Sequence, residues 1–195
     1  QNPRFYSGPS SPVLGAMFSL HDNFHGNELY TGYPKPNQVN EIVGSVIKHW
    51  YSDIEQEVIF DKNRAWTARV PFIEGYIGQE AKIIVPVRRV DEILTSLLTM
   101  VHRNTFVEGQ PRINFVDEQL VKANIPINDH NRCEYLLVAQ GGIVYESLNA
   151  TKMGVDDGHS DKFLFVDYNE LVEDPQRELN DIYEFLGEEP FEHTF

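Results

Sequence analysis

The segment Ala81 to Ser96, AKIIVPVRRVDEILTS, constrains the fold of this chain more than any other. Between Lys82 and Val87 it carries four β-branched aliphatic residues and no charge after the lysine, which predicts a strand covered on both faces. Such strands are typical of parallel sheets, whose connections are helices. We therefore predict an α/β fold in which this strand carries Arg88 to the carboxyl edge of the sheet, where open parallel sheets bind ligands.

Arg88 and Ser96 together indicate an anion-binding site. A guanidinium at a strand end can hold a phosphate through two charge-assisted hydrogen bonds. If a helix begins near Val90, Ser96 lies about two turns inside it. The Ser96 hydroxyl can then reach the anion bound by Arg88 only if that anion lies along the side of the helix.

Helical and strand patterns alternate along the rest of the chain. Apolar spacing predicts helices at Ser10–Leu20, Gln38–Tyr51, Val70–Ile77, Val90–His102, Ile143–Met153 and Gln176–Leu186, and strands at Glu57–Phe60, Lys82–Val87 and Phe163–Asp167. Strands separated by helices imply right-handed crossovers. We predict one domain over residues 1–195, a three-layer sandwich with a central parallel sheet flanked by helices. Residues 103–142, rich in Asn, Pro and Gly, are predicted to be an irregular insertion that shapes a ligand pocket.

The predicted helix Gln176–Leu186 has a clear apolar face. Leu179, Ile182, Tyr183 and Leu186 share that face, which we expect to pack on the sheet. Glu178 is expected on the opposite, exposed face, where its truncation would have little effect on stability.

Charge and composition exclude several classes of protein. A formal net charge of -14 argues against a sequence-independent nucleic-acid binder, which needs clustered Lys and Arg. The few cations at predicted strand ends therefore carry more weight: Lys62, Arg64, Arg88 and Arg89. No apolar run approaches the ~20 residues that span a bilayer. The single cysteine, Cys133, excludes an internal disulfide and favours a reducing, cytoplasmic compartment.

The segment 162–187, KFLFVDYNELVEDPQRELNDIYEFLG, adds a second motif. It joins an apolar strand, Tyr168-Asn169-Glu170-Leu171, Asp174-Pro175 and a helix that ends Phe185-Leu186-Gly187. Together with the Arg88 segment it resembles the sulfotransferases that use 3'-phosphoadenosine-5'-phosphosulfate (PAPS) as donor, a family with a fold like that of P-loop NTPases. The resemblance implies that Arg88 and Ser96 grip the 3'-phosphate of the donor and that Tyr168 contacts its adenine.

A third motif, Asp61-Lys62-Asn63, follows the apolar run Val58 to Phe60. It is similar to the strand-end lysine of carbohydrate and tyrosylprotein sulfotransferases. The resemblance implies that Lys62 contacts the transferring sulfuryl group and that the acceptor is a hydroxyl of a small molecule, a carbohydrate or a peptide. No metal is expected, because backbone amides and basic side chains can meet the phosphates of the donor.

The chain departs from this family pattern at both ends. The donor loop of the family, a strand followed by Pro-Arg-Ser-Gly-Ser/Thr and a helix, has no sequence counterpart, and Gln1 to Phe5 looks like the tail of the helix that follows it. The segment Glu192 to Phe195 is no helix stop, and the final basic loop is missing. We therefore expect a chain truncated at both ends.

Two alternative functions remain open. A P-loop kinase would share the parallel sheet, but its Gly-x-x-x-x-Gly-Lys-Ser/Thr motif needs a Gly-Lys pair, which these residues lack. A non-catalytic binding module on the same scaffold would explain the missing donor loop without truncation.

The general base is not settled by the sequence. The candidates are His21, Asp22, His25 and Glu74. His21, His25 and Glu28 would form a metal site on a helix, but Asn23 and Gly26 weaken helix formation, so we expect loop histidines. Trp66 is an alternative to Tyr168 for stacking on adenine.

Overall fold

The structure, a computed structural model, describes residues 2–104, 106–107, 110–111 and 113–195. Its strands are β1 (Phe5–Ser10), β2 (Val58–Lys62), β3 (Ile83–Val87), β4 (Phe106–Val107), β5 (Gln110–Pro111) and β6 (Phe163–Asp167). Its α-helices are α1 (Val13–His25), α2 (Glu28–Gly32), α3 (Pro36–Trp50), α4 (Val70–Ile77), α5 (Val90–Arg103), α6 (Phe115–Lys122), α7 (Asp129–Val138), α8 (Ile143–Asp156), α9 (Tyr168–Glu173) and α10 (Pro175–Leu186). Short 3-10 helices cover Trp66–Arg69 and Ser160–Lys162.

The long strands pair in parallel, and helices connect them. β1 pairs with β2 and β3 pairs with β6, each as a two-stranded sheet, while β4 and β5 form a small antiparallel pair. This arrangement confirms the predicted α/β class. The expectation that β3 is covered on both faces is wrong, because Pro86 and Val87 are exposed. Among the described residues β3 has β6 as its strand neighbour, so its other edge lacks a strand.

Most predicted elements are confirmed within a few residues. The bounds of α4 match those predicted, and α8 runs slightly past Met153. α10 begins one residue early because Pro175 suits the first helical position and the Asp174 carboxylate accepts a hydrogen bond from the Arg177 amide at 3.2 Å. It ends at Leu186 and is capped by Gly187, whose φ of 75° lies in the left-handed region.

The N-terminal elements differ from those expected. The interpretation of residues 1–5 as a helix tail is wrong, because residues 2–4 form no helix and Phe5 begins β1 (Phe5–Ser10). Gln1 lies outside the described residues. α1 begins only at Val13, because Ser10 pairs with Lys62 in the sheet. The helix then continues to His25, so the expectation of loop histidines is also wrong.

The segment 103–142 is not irregular where the structure describes it. Asn114 and Asn128 suggested loops but cap α6 and α7: their side chains accept hydrogen bonds from the amides of Asp117 and Asn131, each at 2.9 Å. A small core lies between α5, α6 and α7, formed by Val101, Val116, Leu120 and Leu136. The predicted irregular insertion is therefore wrong, because these Asn residues start helices with apolar faces. Residues 105, 108–109 and 112 lie outside the described part.

The larger core lies at the N-terminal side of the fold. α1, α3 and α4 bury Val13, Leu14, Met17, Val39, Val43 and Ile73, together with Trp66. Gly154 of α8 packs against the backbone of Thr67, where a Cβ atom would lie 2.1 Å from the carbonyl oxygen.

α10 is anchored by Tyr183, which is 2% exposed. Glu178 is 7% exposed and accepts a hydrogen bond from Arg177 at 2.7 Å, so the expectation of an exposed Glu178 is wrong. α9 packs beside α10. Across the described residues, no helix combines the length and apolarity needed to cross a membrane.

Candidate functional site

The carboxyl ends of β3 and β6 bring Arg88 and Tyr168 together. Val87 and Asp167 are register partners in this parallel pair, so the next residue of each strand leaves the sheet at the same edge. The Arg88 guanidinium carbon lies 4.1 Å from the centroid of the Tyr168 ring. This cation–π contact orients the guanidinium against the ring of Tyr168, a residue that is 39% exposed.

Local sequence determines where the two following helices begin. The Asp167 carboxylate accepts a hydrogen bond from the Asn169 amide at 2.7 Å and so caps α9, which begins at Tyr168. α5 carries Asp91 and Glu92 in its first turn, where carboxylates are favoured by the helix dipole.

Arg88 and Ser96 line the same open cavity, whose volume is about 330 Å³. Its other lining residues are Asp91, Glu92 and Thr95. Both residues therefore border one cavity near the carboxyl end of β3, while their joint binding of an anion stays a prediction. A strand-end cation and a helix hydroxyl in one cavity can bind an anionic group.

The carboxylates at this cavity are paired with cations. Arg88 Nε donates to Glu92 Oε2 at 2.7 Å, and Arg89 pairs with Asp91 at 2.9 Å. In the described part of the chain, the terminal amino groups of Arg88 contact neither a carboxylate nor a carbonyl. Arg88 therefore keeps two donors for a further anion.

Lys62 lies at the carboxyl end of β2, in the other parallel pair. Its side chain is exposed and makes no ion pair or side-chain hydrogen bond among the residues described. Its backbone oxygen accepts a hydrogen bond from the Ser11 amide at 3.1 Å. Lys62 and Arg88 therefore end strands of separate two-stranded sheets.

Asp61 is a polar centre that the sequence analysis missed. Its carboxylate accepts hydrogen bonds from Trp66 Nε1 and the Tyr51 hydroxyl, each at 2.7 Å, and from the Ser11 hydroxyl. Burial, followed by the bond to Asp61, raises the pKa of Tyr51 to about 12. The donors come from separate elements, so only the position of Asp61 beside Lys62 could have drawn attention to it.

Trp66 and Tyr168, the two aromatic candidates, differ in exposure. Trp66 is 8% exposed and belongs to the N-terminal core, with its ring nitrogen committed to Asp61. Tyr168 is the exposed ring beside Arg88.

The histidine candidates lie one turn apart on α1. The Nδ1 atom of His21 is hydrogen-bonded to the Tyr76 hydroxyl, and the rings of His21 and His25 stack with centroids 4.1 Å apart. Burial, reinforced by His25, lowers the pKa of His21. His21 is therefore neutral near pH 7 and able to accept a proton.

The carboxylate candidates have different surroundings. Asp22 is exposed on α1. Glu74 Oε1 accepts a hydrogen bond from the Ala81 amide at 2.8 Å and so closes the turn between α4 and β3. The described residues contain no group of three or more His, Cys, Asp or Glu side chains arranged to hold a metal ion, and Glu28 lies on the separate helix α2.

Comparisons with known proteins agree with this architecture. A solved structure described as "Sulfotransferase Domain from the Curacin Biosynthetic Pathway" is similar in fold, with a TM-score of 0.53 and 13% sequence identity. The match covers 97% of this chain and 66% of that chain, so this chain spans just under two thirds of the length of its neighbour. No curated protein matches the chain. Residues 72–194, more than half of the sequence, match the family model described as "Sulfotransferase domain", and the chain therefore belongs to the sulfotransferase domain family.

Proposed function

We propose that this protein transfers a sulfuryl group from PAPS to a hydroxyl acceptor. The observation that carries this proposal is that Arg88 and Ser96 line one cavity, with Tyr168 held against Arg88. Family membership supports sulfuryl transfer in general. The donor PAPS and a hydroxyl acceptor are what the resemblance of the sequence motifs implies, and the chemistry of the cavity is compatible with the donor.

The residues present fit the nucleotide end of PAPS. Two terminal amino groups of Arg88 can form a bidentate pair with the 3'-phosphate, and the Ser96 hydroxyl can donate to the same group. The exposed surface of Tyr168 offers a stacking partner for adenine. The nearby carboxylates are offset by Arg88 and Arg89, which limits their repulsion of a phosphate.

The connection between β1 and α1 suits the other end of the donor. A strand, a short turn and a helix follow one another over residues 5–25, as in the donor loop of the family. The sequence Gly8-Pro9-Ser10-Ser11-Pro12, from the end of β1 to the residue before α1, departs from Pro-Arg-Ser-Gly-Ser/Thr and lacks its arginine. Amides at the start of a helix can still bind an anionic group. This turn is tied to the backbone of Lys62 through Ser11.

Lys62 is the proposed catalytic cation. Sulfuryl transfer, like phosphoryl transfer, passes through a loose in-line transition state in which charge grows on the leaving phosphate oxygen. A compact ammonium on a flexible side chain can follow that oxygen and stabilise the charge. PAPS supplies the activated sulfuryl group. The protein positions the two reactants and supplies the positive charge of Lys62, and no metal is assigned a role.

His21 is the best suited of the four base candidates. It is partly buried, its pKa is lowered by that burial, and its ring is oriented by Tyr76. A neutral imidazole can take the proton of an acceptor hydroxyl as the sulfuryl group arrives. Asp22, His25 and Glu74 are retained as alternatives. The acceptor class, whether small molecule, carbohydrate or peptide, is left open.

Calorimetry with 3'-phosphoadenosine 5'-phosphate (PAP) and 5'-AMP tests the donor assignment. The wild-type protein should bind PAP more tightly than 5'-AMP, because only PAP carries the 3'-phosphate. Arg88→Ala should remove this difference, whereas Arg103→Ala, at the exposed end of α5, should preserve it. Equal affinities of the wild type for PAP and 5'-AMP would contradict the proposal. PAP binding without transfer from PAPS to any hydroxyl would instead indicate a binding module, and transfer from ATP would indicate a kinase.

A further inference from the structure

Ser11 is held at each of its polar groups by three consecutive residues. Its amide donates to the Lys62 carbonyl at 3.1 Å, its hydroxyl donates to the Asp61 carboxylate, and its carbonyl accepts from Asn63 Nδ2 at 3.5 Å. Ser11 is 8% exposed, so these bonds form largely away from water. The turn before α1 is thus joined to the strand end that carries Lys62.

Asp61 is the centre of this connection. It accepts hydrogen bonds from Ser11 in the turn before α1, from Tyr51 directly after α3 and from Trp66 in the 3-10 helix that follows β2. A carboxylate that accepts three hydrogen bonds is held in one position, and it fixes the strand backbone beside it. Removing the Asp61 carboxylate would leave these three partly buried donors without their acceptor, so the segments that carry them are coupled through a single side chain.

The alternation of strand side chains explains how this connection affects Lys62. Successive residues of a strand point to opposite faces. Asp61 is committed to one face of β2, which leaves the Lys62 side chain on the other face, exposed and without an ion pair among the described residues. The Cα atom of Lys62 is therefore held in place by the strand, and the ammonium group moves only by rotation about the bonds of the Lys62 side chain.

From this geometry we infer that Asp61 is a positioning residue. It holds the turn at Ser11 against the end of β2 and thereby fixes the position of the Lys62 backbone for sulfuryl transfer. The inference rests on the proposed function, in which Lys62 acts on the transferring group. The Asp61 carboxylate is committed to three hydrogen bonds from protein groups, so we assign it a positioning role and no catalytic one. Its loss should therefore act through Ser11 and Lys62.

A double-mutant cycle tests this inference in the full chain. Asp61→Asn, Ser11→Ala and the double variant are compared by urea unfolding and by transfer from labelled PAPS, with Asp53→Asn as a control that removes an exposed carboxylate. We expect Asp61→Asn to lower kcat roughly 10- to 100-fold, because small misplacements of a catalytic group are costly, while PAP affinity stays within about threefold. The double variant should be no slower than the slower single variant, since both changes break one connection.

Two further readouts keep the inference testable if a variant folds poorly. Tyr51→Phe removes one donor to Asp61 without disturbing the Ser11 bond, so it should retain kcat within a few-fold. In Asp61→Asn, the fluorescence of Trp66 should change, because its ring nitrogen loses a charged acceptor. An unchanged kcat in folded Asp61→Asn, or independent effects of the two substitutions, would overturn the positioning role. If the wild type transferred nothing from PAPS while the stability cycle still showed coupling between Ser11 and Asp61, the proposed function would fail and the structural connection would stand.

Discussion

The guanidinium of Arg88 rests on the ring of Tyr168, 4.1 Å from its centroid. The two residues are 80 positions apart in the chain, yet they meet because Val87 and Asp167 are register partners at the ends of β3 and β6. Glu92 bonds to Arg88 from a second direction, at 2.7 Å. The guanidinium is thereby oriented before any ligand binds, which lowers the entropic cost of forming a bidentate pair with a phosphate.

Tyr168 contributes to binding both PAP and 5'-AMP if it stacks on adenine. Tyr168→Leu should weaken both ligands by roughly tenfold, since loss of one base–aromatic stack costs on the order of 1–3 kcal/mol. Tyr168→Phe keeps the ring and should bind nearly as the wild type does. Calorimetry separates this pattern from that of Arg88→Ala, which should weaken PAP alone. Unaltered affinities in Tyr168→Leu would exclude the adenine contact.

Lys62→Ala should depress turnover while leaving PAP affinity within a few-fold. The interaction of Lys62 grows mainly in the transition state, so its removal should lower kcat roughly 100- to 1000-fold. Single-turnover transfer from labelled PAPS measures the chemical step directly. Lys152→Ala, an exposed lysine on α8, serves as the control and should keep the wild-type rate. A normal chemical rate in Lys62→Ala would remove its catalytic role.

Tyr183 should be a main determinant of stability. Its ring packs 5.3 Å from that of Phe5, and its hydroxyl is bonded to Asn2 at 3.2 Å and His193 at 2.9 Å. Tyr183→Ala should cost about 3–5 kcal/mol in the free energy of unfolding, and Tyr183→Phe about 1–3 kcal/mol. Glu184→Ala, on the exposed face of α10, should change it by less than about 0.5 kcal/mol. Urea unfolding provides the comparison, and equal midpoints for the three variants would show that this anchor is unimportant.

The ion pair between Arg132 and Asp117 stabilises the packing of α6 against α7. Arg132 Nε donates to Asp117 at 2.8 Å, and the side chains are only 11% and 6% exposed. The guanidinium bond lowers the pKa of Asp117, which stays ionised. Arg132→Met would leave that charge buried and unpaired, at a cost of about 3–5 kcal/mol. Arg89→Met, which breaks an exposed pair screened by solvent, should have a much smaller effect in the same unfolding assay. Similar losses for the two variants would contradict this distinction.

Ionisation of Tyr51 should lower the stability of the folded protein at alkaline pH. Its pKa is raised by burial from 10.0 to about 12 in the folded state, so its contribution to stability is complete below pH 10 and is lost as the pH rises toward 12. Tyr51→Phe should flatten this part of the curve of unfolding free energy against pH. Urea unfolding at about pH 9 and about pH 11.5 makes the comparison. The same alkaline loss in wild type and variant would assign it to other groups.

Local pattern was sufficient for the elements whose apolar spacing is regular. The bounds of α4 and β6 match the prediction because each apolar segment has a clear end. The apolar face of α4 stops before Gly78, and the apolar run of β6 stops at Asp167. Asn114 and Asn128 misled the interpretation, since Asn is favoured both in loops and at helix starts. Only the helices that follow them distinguish the two uses.

In the candidate site, too, some features follow from local sequence and others depend on tertiary structure. The spacing of Arg88 and Ser96 follows from one strand and one helix, so local sequence could predict that they face a common cavity. The contact of Arg88 with Tyr168 requires the register of β3 against β6, and the bonds of Asp61 require four elements to meet. The sequence by itself determined the α/β class, the strand-end cations and the family resemblance. Tertiary packing alone decided their partners, because long-range pairing depends on burial and register that no local pattern encodes.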